Sequence, residues 1–467
     1  MKKFTAFLLI AAMVGTLAGC GDSTSAMSSG GNTEQGGASS SESGEADASG
    51  LIDDGGIFWN TEKKMYELEE DVLNGTATLK AWVDNDGFAE ALQAGFMEKY
   101  PGVNLEVMVV STGDAADKMA LEGEAGTGAD AFMLVHDNIS KAMNSSIIGM
   151  FGRYDEQIRE RYLESAVGVV DIDGQIYGAP LLIESAALFY NKTLLNQLAA
   201  DGYIASADVP EDFEDIKEIA KVYNDERNNK WTMRWETGNA YMNHYVMTAF
   251  GYELFGPDRN DAEKLNLSTP EAIKGLEYHL SLREVFDVPS ADTNWDTTVV
   301  EFGKGETPFL LVGPWAIEEV AKGAEENGFE FGIAPLPKVD GNQAYTFSGV
   351  QLACVSAYSK YPAAARALAM YMAGDEMAEF LYGSLNKIPS LKEEYANKIP
   401  GLKDDERVQG VMEQAAFSQP MPAIKETEYY WTVAETMMRS VWDGVMTPEA
   451  AAQKAQEDYD TLRSTAE

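Results

Sequence analysis

The chain is poor in several residue types that carry chemistry elsewhere. Of its 467 residues, two are cysteines, Cys20 and Cys354, and three are histidines, His136, His244 and His279. Cys354 lies in the apolar run VQLACVSA and reads as a buried core residue, so the folded body has no disulfide of its own. The three histidines are far apart in sequence and do not suggest a metal cluster. Basic residues are also few: 35 Lys and Arg stand against 76 Asp and Glu, for a net charge of −41. A body this acidic has no electrostatic route to nucleic acid or to anionic lipid. HExxH, GxSxG and Walker-type phosphate loops are absent, and the glycines at 123, 126 and 128 in GEAGTGAD do not complete a dinucleotide fingerprint.

Long hydrophobic runs are missing too, apart from one. After Met1-Lys2-Lys3, an apolar stretch runs from Phe4 to about Leu17. It is shorter than the roughly 20 residues a membrane span needs, and its pattern is that of a secretory signal, residues 1–19. Leu17-Ala18-Gly19-Cys20 resembles the lipobox of bacterial lipoproteins. That resemblance implies lipidation of Cys20 and anchoring to the membrane through lipid alone, on the extracytoplasmic face. An ordinary signal with a coincidental cysteine is the plainer alternative. Residues 20–50 are Gly, Ser, Ala and acids, which cannot bury a core and read as a disordered linker. A coil of about 30 residues spans about 30 Å.

More than 400 residues remain, too many for one ordinary core, so two domains are expected. In residues 51–75, Met65, Leu68 and Val72 recur at helical spacing and predict a short amphipathic helix over 61–73. Residues 77–83 alternate as a strand. Leu92, Phe96 and Tyr100 then share a helix face, stopped at Pro101-Gly102, and residues 103–110 alternate again. Strand, helix and strand imply a parallel pair. A buried strand over 129–135 ends at His136-Asp137-Asn138. Ligands of open parallel sheets sit beyond the carboxyl ends of strands, which marks this turn and Asp84-Asn85-Asp86 as candidate sites. A helix over 210–222 and strands at 308–312, 331–334 and 350–355 continue the alternation, so the class is α/β. Thr269-Pro270 and Thr447-Pro448 both read as capped helix starts.

Three aromatics stand beside turn residues or polar neighbours. These are Trp315 in VGPWAI, Trp431 in EYYWTV, and Tyr241 in ETGNAYMNHY near Trp235 and Glu236. Rings with adjacent carboxylates suit a neutral sugar: the ring stacks on the C–H face and the acids accept hydrogen bonds from the hydroxyl rim. A lone aromatic is more often plain core, and each ring has that reading too. Composition leaves other classes open. A glycoside hydrolase using a carboxylate pair fits the abundance of acids, and a binder of a peptide or metal also remains.

From about residue 77 to 460 the chain resembles the family 1 extracellular solute-binding proteins of bacterial ABC importers, in particular the maltose and maltodextrin binders. The resemblance rests on GAPLLIESAALFYNKTLL (178–195), GKGETPFLLVGPWAI (303–317) and FSGVQLACVSAYSKYPAAARALAMYM (347–372), in that order. It implies a two-lobed, type II periplasmic-binding-protein-like fold, each lobe an α/β sandwich, with hinge crossovers around a ligand cleft. The expected lobes are 76–182 with 335–401, and 183–334 with 402–467. The implied function is capture of an oligosaccharide, most closely maltodextrin, and delivery to ABC permease subunits by a monomer, with no catalysis and no cofactor. By position, Asp86, Asp137 and Glu184 correspond to sugar-binding acids, Glu236 and Tyr241 to an acid and an aromatic of the second lobe, and Trp315 and Trp431 to stacking tryptophans. Leu134, Asn138 and Glu435 depart from the pattern, standing where the maltose binders carry a third tryptophan and two cleft arginines.

Overall fold

The computed structural model describes residues 50–466. The signal, Cys20 and the linker lie outside the described residues, Gly50 excepted. Among the described residues no helix is long and apolar enough to cross a membrane.

The expected strand–helix–strand unit is present. Strand Thr78–Val83 pairs in parallel with Asn104–Val109, and helix Asp86–Lys99 connects them. Asn85 caps that helix, its Oδ1 accepting the Phe88 N–H at 3.1 Å, and Phe88, Leu92 and Phe96 form the buried stripe. The larger sheet runs in the order Ala179–Ser185, Thr346–Ser356, Ala131–Val135, Thr78–Val83, Asn104–Val109. Its second member, Thr346–Ser356, is buried along its whole length and pairs antiparallel with both neighbours. Cys354 lies in it, fully buried.

A second sheet has the order Met233–Arg234, Phe309–Val312, Ala187–Asn191, Phe331–Ala334. Phe309–Val312 and Phe331–Ala334 are short continuous apolar runs, as expected of strands covered on both faces. The chain passes between the sheets at Ser185–Ala187 and again between Ala334 and Thr346, and Ser418–Pro420 later adds to the larger sheet in parallel with Thr346–Ser348. Helix Phe213–Tyr223 buries Phe213, Ile216 and Ala220 and carries a capping box from Asp212 and Asp215. Thr269 caps helix Pro270–Ser281, and the Thr447 hydroxyl accepts the Ala450 N–H at 3.3 Å at the start of Pro448–Ala466.

The segment before this fold differs from expectation. Residues 61–73 do not form one helix. Strands Leu51–Asp54, Ile57–Asn60 and Met65–Tyr66 make an antiparallel meander, and only Glu70–Leu73 is helical. Gly55 and Gly56, at φ 69° and 94°, supply the first turn. Trp59, Tyr66 and Tyr154 then pack edge to face at 5.0–5.5 Å, and this aromatic cluster outweighs the helical spacing of Met65, Leu68 and Val72. The meander is tied to the body through Glu69. Its carboxylate accepts the N–H groups of Ala363 and Ala364 at 2.8 and 3.0 Å, capping helix Pro362–Met372, which has no side-chain cap of its own. Glu69→Ala removes both hydrogen bonds at a dipole-favoured position and is expected to cost about 1–2 kcal/mol, read as a lower urea midpoint at unchanged slope.

Candidate functional site

The first lining side chains come from the ends of strands in the larger sheet. Ala131–Val135 runs into a one-turn 3-10 helix, His136–Asn138. His136 turns into the core, where its Nδ1 accepts the Val350 N–H at 3.0 Å, and burial holds it neutral with a pKa near 4. Asp137, the next residue, faces a cavity of about 460 Å³. The other lining groups include Glu184, Tyr241, Trp315, Trp431, Glu435, Asn239, Gln351, Thr112 and Met421. The volume lies within the range of small-molecule sites. The lining draws on both sheets and their helices: Glu184 and Gln351 belong to the larger sheet, Trp315 follows the second-sheet strand Phe309–Val312, and Tyr241 and Trp431 sit on helices Ala240–Thr248 and Thr427–Trp442.

The aromatic wall is organised by a residue whose place in the sequence does not single it out. Phe347 is fully buried and lies behind two of the rings, 5.8 Å from Tyr241 at 29° and 5.5 Å from Trp431 at 70°. His244 stacks on it at 3.7 Å. Trp315 meets Tyr241 edge-on at 6.0 Å. Trp315 also lies against Gly313, where an added Cβ would be 1.9 Å from ring carbon Cζ3, so the close approach requires glycine. All three lining rings keep part of their surface open, and none is fully buried core.

The polar groups are tightly coupled. Glu184 accepts the Gln351 Nε2–H at 2.9 Å, while its pKa is raised by burial; Lys387 opposes that shift and Asp84 adds to it. Asp84 and Lys387 form a mostly buried pair at 3.1 Å. Burial raises Asp137 to about 6, opposed by the backbone N–H groups of Asp137 and Asn138 and reinforced by Glu428. Asp137 Oδ1 and Gln351 Oε1 are buried and have no hydrogen-bond partner. Burial drives Tyr241 well above the ordinary phenol range, with the charges of Glu184 and Asp137 adding to it, and its hydroxyl donates to the Phe347 carbonyl at 3.4 Å.

The structure therefore brings Asp137, Glu184, Tyr241, Trp315 and Trp431 to one cavity and leaves Asp86 and Glu236 out of its lining. Asp86 is exposed in the first turn of its helix, and Asp84, just before the Asn85 cap, is the acid that turns inward. Glu236 accepts from Asn239 Nδ2 at 3.0 Å, and Asn239 takes the lining place. Leu134 is buried core and Glu435 lines the cavity. Gln351, Thr112 and Met421 were not singled out from the sequence; the one signal at Gln351 is a carboxamide set inside the apolar run VQLACV.

Two sheets joined by two chain crossings, with a polar and aromatic cavity lined from both sides, define a hinged binding protein of the type II periplasmic-binding-protein-like class. The chain belongs to the family of bacterial extracellular solute-binding proteins, whose profile matches residues 91–409. It is 25% identical over 389 residues to a galactooligosaccharide-binding protein of Bacillus subtilis (strain 168), covering 81% of this chain and 88% of that one. It is also 25% identical over 395 residues to a maltooligosaccharide ABC transporter solute-binding lipoprotein of Streptococcus pneumoniae (strain ATCC BAA-255 / R6), covering 81% and 86%. Among solved structures, a cyclo/maltodextrin-binding protein complexed with maltotetraose aligns with a TM-score of 0.70 at 28% identity, over 82% of this chain and 97% of that one.

Proposed function

We propose that this protein is the extracytoplasmic receptor of an ABC importer, that it captures an oligosaccharide in the cavity between its sheets, and that maltodextrins are its ligands. The observation that carries this reading is the joint placement of Asp137 and Glu184 with Trp315, Tyr241 and Trp431 around one cavity. The rings offer flat apolar faces to sugar C–H groups, and the carboxylates and Gln351 Oε1 accept hydroxyl protons. The names of the maltooligosaccharide and galactooligosaccharide relatives support the ligand class. The lobes are residues 76–185 with 335–401 and residues 186–334 with 402–467, the first boundary moved from 182 to 185 because strand Ala179–Ser185 belongs whole to the larger sheet, and ligand draws them together about the crossings. No bond is broken, and the sugar is handed intact to permease subunits.

Calorimetric titration with maltose, maltotriose, maltotetraose and a galactooligosaccharide tests the reading. Saturable binding of a maltodextrin, with the sugar recovered intact, is expected. Binding confined to the galactooligosaccharide would move the ligand to that class, and release of new reducing ends would replace binding by hydrolysis.

The body attaches to the membrane through lipidated Cys20. Cys20→Ala is expected to abolish lipid labelling and leave the protein unprocessed or released from the membrane fraction. Normal labelling of the variant contradicts the anchor.

A further inference from the structure

The charge inside the cavity is one-sided. Asp137, Glu184 and Glu435 line it, and among its described lining residues there is no lysine or arginine. Cations on neighbouring elements are engaged with acids. Lys387 pairs with Asp84 at 3.1 Å, and Lys141 pairs with Asp117 at 2.8 Å and Glu428 at 3.5 Å. Arg439 approaches Glu435 only at 3.6 Å, with both side chains about half exposed, a geometry that neutralises little. Burying carboxylates is costly: desolvation raises both Asp137 and Glu184, and the nearby Lys387, already paired with Asp84, offsets only part of it at Glu184.

The unsatisfied hydrogen-bonding atoms beside the cavity have the same polarity. Gln351 is 7% exposed and lines the cavity, its Nε2 is committed to Glu184, and its Oε1 has no partner. Asp137 Oδ1 is likewise buried and unpartnered. Both are acceptors. A hydroxyl offers them one proton, whereas an ammonium offers three donors and no acceptor. The faces of Tyr241, Trp315 and Trp431 favour a cation as well as a sugar ring.

We infer that the preferred ligand of this cavity is an oligosaccharide bearing a protonated amine, an inference that rests on the oligosaccharide reading above. The amine sits among Asp137, Glu184, Glu435 and Gln351 Oε1 while the sugar rings lie on the aromatic wall. It supplies the positive charge that the protein leaves out of its own lining.

The test is calorimetric titration of the full chain with maltotriose, with maltotrioses in which one hydroxyl at C2 or C6 is replaced by a primary amine, and with the N-acetylated form of each. Spermidine, a cation without a sugar ring, is the control. At least one amine form is expected to bind about tenfold or more tightly than both maltotriose and its own acetylated form. That advantage should shrink between 50 and 500 mM salt, because screening acts on the charge and not on the stacking. Glu435→Gln, on a partly exposed helix position, should cut the amine-to-neutral ratio about threefold. Maltotriose binding as tightly as every amine form overturns the inference and leaves the oligosaccharide reading standing. Binding by no sugar overturns both, as does spermidine binding more tightly than any sugar.

Discussion

Trp431→Ala is expected to melt close to the wild type without ligand and to lose most of the stabilisation that sugar confers. Truncating a buried core tryptophan costs about 3–5 kcal/mol of folding stability. Trp431 keeps part of its surface on the cavity, with Phe347 and Tyr430 behind it at 5.5 and 4.9 Å, so its truncation should cost the free fold much less. Apolar packing of a sugar over one ring face is worth about 1–3 kcal/mol in binding, or about 5- to 150-fold in affinity. Trp315→Ala should follow less cleanly, because its ring also packs on Gly313. Thermal melts with and without saturating maltotriose measure both quantities. If both variants unfold readily and their folded fractions bind sugar normally, the rings are core and not a binding wall.

Asp137→Asn is expected to make the free protein more stable at neutral pH and to weaken ligand binding. Burial raises the Asp137 carboxyl from the ordinary 3.8 to about 6. The folded state therefore holds this proton more tightly than the unfolded chain, so stability falls as pH rises through that interval. Above pH 6 the ionised carboxylate penalises the fold, and asparagine removes the penalty. The gain should be of order 1–3 kcal/mol at pH 7.5, shrink as pH falls through about 6, and vanish below about 4. Urea unfolding without ligand at pH 7.5 and pH 4 reads this directly. An equal loss of stability at both pH values would mean that Asp137 supports the fold through its hydrogen bonds and carries no charge penalty.

The same residues show what sequence could and could not convey. The strand–helix–strand unit over 78–109 was legible because period-two and period-four patterns alternate cleanly and Pro101-Gly102 ends the helix. The 51–66 meander was not. Its strands are two to four residues long, and Met65, Leu68 and Val72 sit at helical spacing by coincidence, while packing among Trp59, Tyr66 and Tyr154 decides the structure. In the cavity, Trp315 and Trp431 stood out because each adjoins turn or polar residues. Asp84 and Asp86 could not be separated by spacing, since the choice follows from which way the chain faces on entering the helix capped by Asn85. Phe347 was hidden because its role depends on packing against Tyr241, His244 and Trp431, all distant in sequence.

The central claim is that two lobes close on an oligosaccharide. Small-angle scattering of the free protein, and of the protein saturated with a maltodextrin whose binding calorimetry has established, tests it most directly. A smaller radius of gyration with sugar is expected, because closure would bring the sheets together about the crossings at Ser185–Ala187 and Ala334–Thr346. An unchanged radius with the sugar bound would contradict a cleft that closes.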